Sequence, residues 1–67
     1  MRYEIRIEGV LEEHWSAWFD GLQIMSRPGD VTVIAGPVVD QASLHSVLAK
    51  VRDLGLPLIS VRRLDPE

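Results

Sequence analysis

Residues 36–62, GPVVDQASLHSVLAKVRDLGLPLISVR, constrain this chain more than any other segment, because they place one helix between both of its boundary signals and then add a strand. Asp40 can offer its carboxylate to the open N–H groups of the helix start, while Gly55 and Pro57 bring the helix to an end. Leu44, Val47, Leu48, Val51 and Leu54 recur at i, i+3, i+4, i+7 and i+10, which gathers them into one apolar stripe. A helix of this kind needs a surface to lie on.

The rest of the chain supplies that surface. From Arg2 to Glu8, Tyr3, Ile5 and Ile7 alternate with Arg2, Glu4, Arg6 and Glu8, the period of a strand with one wet face. After Gly9, Leu11, Trp15, Trp18 and Phe19 fall at i, i+4, i+7 and i+8, with Glu12 and Glu13 in the first turn, and predict a short amphipathic helix that Gly21 ends. Leu22 to Ser26 and Val31 to Ala35 read as a hairpin, since Pro28-Gly29 suits the two central positions of a type II turn. Leu58 to Leu64 reads as a last strand, with Ile59 and Val61 on one face and Ser60 and Arg62 on the other. Asp65-Pro66-Glu67 reads as a frayed tail.

The order β-α-β-β-α-β over a single domain, residues 1–67, predicts an α+β ferredoxin-like sandwich: a four-stranded antiparallel sheet, order 4-1-3-2, with two helices on one face. An intertwined dimer that exchanges one β-α unit between chains fits the same order. A chain of 67 residues buries only ~60% of the surface its unfolded form exposes. It contains no cysteine for a disulfide or a thiolate metal site, so a partner chain is the expected source of further stability. The absence of cysteine, of an export signal and of a long apolar run leads to the expectation of a soluble cytoplasmic protein without a membrane segment. Seven basic against ten acidic residues, a net charge of −3, argue against a nucleic-acid partner, because such affinity rests on neutralising phosphates.

With the helices on one side, the other sheet face is left for a partner. That face is expected to carry Arg2, Glu4, Arg6 and Glu8 from the first strand, Gln23, Met25, Thr32 and Ile34 from the hairpin, and Leu58, Ser60 and Arg62 from the last strand. Met25, Ile34 and Leu58 form its apolar members, and charges of alternating sign surround them. The interface candidates are therefore Arg2, Glu4, Arg6, Glu8, Met25, Ile34, Leu58 and Arg62, with self-association as the leading partner class and another protein as the second. RNA-recognition modules of this topology stack bases on open-face aromatics, which this chain lacks.

Few residues point to chemistry. His14 and His45 stand on different elements without a second ligand at metal-binding spacing, so no metal, cofactor or catalytic residue is assigned. Glu12, Glu13 and His14 are consecutive and diverge around a helix. Trp15, Trp18 and Phe19 have the spacing of core residues that cover a sheet, each worth up to a few kcal/mol of burial. The glycines fall at element boundaries and form no phosphate-cradling motif.

YEIRIEG at the start, LEEHWSAWFDGL after it and the GPVVDQASLHSVLAKVRDLGLPLISV half together resemble a family of very small uncharacterised bacterial proteins. That resemblance implies a stand-alone domain of this length and carries over no activity or site residue. Amino-acid-sensing domains of the ACT type are faintly similar at the loop after the first strand, whereas the paired-cysteine loop of copper chaperones and the arginine-bearing loop of acylphosphatases are missing. The expected function is a small non-enzymatic interaction or regulatory domain that acts as a homo-oligomer through its open sheet face or an edge strand. The alternative is a small-molecule-sensing, ACT-like domain that binds a metabolite at Gly9, Val10, Leu11 and Glu12.

Overall fold

The computed structural model describes residues 1–64; the expected tail, 65–67, lies outside them. Its architecture is mixed α+β, with strands β1 (Arg2–Glu8), β2 (Gln23–Arg27), β3 (Val31–Pro37) and β4 (Leu58–Arg63), and one α-helix, α1 (Gln41–Asp53). All pairings are antiparallel, and the strands run β2-β3-β1-β4 across the sheet, the expected 4-1-3-2 counted from the other edge.

α1 forms where its sequence signals lie. The Asp40 carboxylate accepts from the Ser43 N–H at 2.8 Å, satisfying one of the open donors of the first turn. The helix ends in a Schellman motif: Gly55, in the left-handed region at φ +74°, donates to the Arg52 carbonyl, and Leu56 donates to that of Val51. Leu44, Val47 and Val51 are buried, and Leu48 and Leu54 pack half-buried beside them.

Tyr3, Ile5 and Ile7 point into the core beneath this helix, as their alternation predicts. Phe19, Leu22, Ile24, Ile34 and Val38 complete it. Gly36 permits a close approach within this core, since a Cβ there would lie 2.8 Å from Leu22 Cδ2.

The expected first helix is replaced by a 3₁₀ segment, Glu13–Ala17. Its entry at Glu12 has no side-chain cap, and the Leu11 N–H just before it is drawn to Thr32 on β3. The chain then closes tightly: Gly21 donates to the Ser16 carbonyl, the Ser16 hydroxyl donates to that of Leu22, and Asp20 and Gly21 both take positive φ. Only one of the three aromatic rings is buried in the core, and a second packs against its margin. Phe19 is fully buried, Trp15 half-buried and Trp18 exposed.

Candidate interaction surface

The register decides what each sheet face carries. Ile34 stands opposite Ile5 and Thr32 opposite Ile7, so both belong to the core face, contrary to the expected open-face position. Ile34 is completely buried and is withdrawn from the interface candidates. The hairpin closes through three residues, with Gly29 and Asp30 both at positive φ, and this sets Val33 and Ala35 on the open face opposite Arg6 and Glu4.

Leu58 also differs from expectation. The β1–β4 ladder shifts register between Arg6 and Ile7, leaving Ile59 as the extra residue of a β-bulge. The shift sets Leu58 opposite the core-facing Ile7, on the helix side of the sheet.

Of the remaining open-face candidates, Glu4, Arg6 and Arg62 come together. Glu4, with a side chain 18% exposed, accepts from Arg6 Nε at 3.1 Å and lies 3.8 Å from Arg62 Nη1. Such pairs at a surface contribute about 0–1 kcal/mol. Val33 is only 1% exposed although it faces away from α1, and Arg6 and Met25 stand directly across from it. Their aliphatic stems are placed to cover it. Arg2 and Glu8 are exposed at the two ends of β1.

The apolar exposure lies elsewhere. Among the described residues, seven large apolar side chains are exposed, and four of them, Leu58, Ile59, Val61 and Leu64, fall in one short segment. All of them belong to β4 or directly follow it, and β4 is a terminal strand of the sheet. Val61 stands opposite Ile5 on the helix side, yet it remains 36% exposed because α1 does not extend over this edge. Sequence reasoning missed Ile59, Val61 and Leu64 as surface residues, since alternation alone assigned Ile59 and Val61 to the core. The signal that could have found them is the width of the apolar stripe of α1, which is too narrow for a four-stranded sheet.

Residues 2–62 match the family described as Domain of unknown function (DUF8691). The chain belongs to that family. No curated protein and no solved structure matches it.

The loop after β1 is held by its own backbone. The Gly9 N–H donates to the Asp30 carbonyl, the Gly9 carbonyl accepts from the Thr32 hydroxyl at 2.7 Å, and the Leu11 N–H donates back to that hydroxyl at 3.1 Å. Thr32 therefore has both hydrogen-bonding roles filled although it is fully buried. Val10 is exposed and Leu11 buried; with Glu12, Glu13, Met25 and Arg27 they line a shallow depression beside β2.

His14 lies 3.7 Å from Glu12, and both are well exposed. His45 is exposed on α1. Among the described residues no three acidic, histidine or cysteine side chains gather where they could hold a metal ion. Asp40 is held below the usual aspartate range by the Ser43 N–H and hydroxyl, a consequence of helix capping. Trp18 stands edge-on to Trp15 at 6.4 Å and under the Lys50 ammonium at 5.7 Å, and Lys50 also reaches Asp20 at 3.4 Å. No helix of the described residues is long and apolar enough to cross a membrane.

Proposed function

We propose that this DUF8691 domain is a small non-enzymatic interaction module that self-associates through the β4 edge, with its layout a reduced ferredoxin-like one and its place of work the cytoplasm. One observation carries the reading: the run of exposed apolar side chains at Leu58, Ile59, Val61 and Leu64 on an edge strand. An uncovered edge offers unpaired backbone donors and acceptors as well as apolar surface, and soluble proteins otherwise blunt such edges. The open face supports association less well, since Glu4, Arg6 and Arg62 pair with one another and Met25, Val33 and Ala35 are not among the exposed large apolar residues.

The discriminating experiment is sedimentation equilibrium at micromolar concentration on three proteins. The wild type is expected to sediment above the chain mass, Ile59→Lys as a single chain, and Met25→Lys, on the open face, like the wild type. A monomeric wild type, or an assembly that Met25→Lys dissolves and Ile59→Lys spares, counts against the reading.

The depression beside the loop after β1 favours a second reading, a metabolite-sensing domain that binds near Val10, Leu11 and Glu12. The backbone N–H groups of Gly9 and Leu11 are already engaged, so recognition there would rest on Glu12, Glu13 and Arg27. Native mass spectrometry that finds a co-purified small molecule, released by Glu12→Ala, supports it.

A further inference from the structure

We propose that the groove between α1 and the turn entering β2 binds an organic ammonium ion, a primary amine carried on a small apolar body. The site shares no residue with the β4 edge and goes beyond the function proposed above.

The groove is built from three elements. Ser43, Val47 and Lys50 recur at i, i+4 and i+7 and so share one flank of α1. Ser43 and Val47 on that flank, Asp20 and Leu22 in the turn before β2, and the end of β3 with the two residues after it enclose a cavity of about 250 Å³. Leu22, Val38 and Val47 give it a buried apolar wall, while Val39 is exposed. Such a space suits an apolar body smaller than a drug-sized ligand.

The polar groups around it are short of donors and rich in acceptors. The N–H groups of Asp20, Leu22 and Val38 are spent on the carbonyls of Ala17, Phe19 and Met1, and Pro37 has none. Ser43 commits both its N–H and its hydroxyl hydrogen to Asp40, which leaves the hydroxyl oxygen as an acceptor. The Asp20 carboxylate accepts only, and among the described residues its partner is the Lys50 ammonium, 3.4 Å from each oxygen. Those contacts are longer than the about 2.7–2.9 Å of a close charged hydrogen bond, so acceptor capacity remains. A ligand that enters must bring donors. A carboxylate or phosphate would meet a charge of its own sign at Asp20.

Lys50 shows the preference from within the chain. Its ammonium lies against Asp20 and over the Trp18 ring, 5.7 Å from the centroid, and a carboxylate and an indole face are the two kinds of group that hold an ammonium. An amine seated in the groove competes with Lys50 for that carboxylate.

Titration of the full chain with 2-phenylethylamine, followed by the methyl signals of Val38, Val39 and Val47 in NMR, tests the site. The amine is expected to shift these signals with a Kd of about 1 mM. The same ring carried by 2-phenylethanol or 3-phenylpropionate is expected to bind at least about tenfold more weakly. Asp20→Asn keeps a residue that tolerates the positive φ of +58° and is expected to weaken the amine about tenfold. Lys50→Met removes the internal competitor and is expected to tighten it about threefold. Unmoved valine signals at about 10 mM amine overturn the proposal. So does equal binding of the three ring compounds, or an Asp20→Asn chain that binds the amine as the wild type does. A chain that binds the amine and sediments as a monomer keeps this site and loses the association at β4.

Discussion

The two edges of the sheet are treated differently. At the β2 edge the 3₁₀ segment lies against the strand, Phe19 and Leu22 close the core, and the Ser16 hydroxyl ties that segment to the Leu22 carbonyl. The strand there ends in Ser26 and Arg27, both exposed and polar. At the β4 edge the side chains are Leu58, Ile59 and Val61, each exposed by a third or more. The difference teaches that one helix and one short 3₁₀ segment can cover three strands of this sheet and not the fourth.

Breaking the covered edge has the largest expected effect. Phe19→Ala removes a fully buried ring and should cost about 3–5 kcal/mol, a large fraction of the stability of so small a domain, measured by urea denaturation. The β4 edge should respond in the opposite sense. Ile59→Lys is expected to weaken association by about 2 kcal/mol or more, measured by sedimentation, and, diluted to where both proteins are single chains, to keep the denaturation midpoint of the wild type. A matched loss of folding stability in Ile59→Lys would place that side chain in the core and erase the contrast.

Two smaller effects sharpen it. Thr32→Val keeps the shape but strands the Gly9 carbonyl and the Leu11 N–H, and should cost about 1–3 kcal/mol in the same denaturation. Asp40→Ala removes the helix cap and should lower Tm modestly without changing the assembly, since α1 does not cover β4. Its pH dependence follows from the sign of the shift. The carboxyl titrates below the usual aspartate range in the folded state, so its stabilisation is present above that range and is lost as pH falls through the folded value. The Tm gap between Asp40→Ala and wild type should therefore close in acid.

Much of this layout was legible in the sequence because local signals and tertiary demand agreed. The alternation of Tyr3, Ile5 and Ile7, the Asp40 cap and the Gly55 stop each describe a physical need that the fold meets. The segment from Leu11 to Phe19 was misread because its helical spacing competes with long-range ties, Leu11 to Thr32 at one end and the turn at Asp20 and Gly21 at the other. Ile34 was misplaced by parity: in a strand as apolar as β3, Val33 and Ile34 are equally hydrophobic, and only the turn length chooses between them. The candidate surface was half visible. Arg62 and Leu58 were singled out, whereas Val61 is a surface residue because the helix stops short and Ile59 stands at the bulge, and strand periodicity carries no information about either.

Sedimentation equilibrium of the wild type beside Ile59→Lys at micromolar concentration tests the central claim, that β4 is where this molecule meets its partner. The account predicts twice the chain mass for the wild type and the single chain mass for the variant. Equal masses for the two proteins would contradict it.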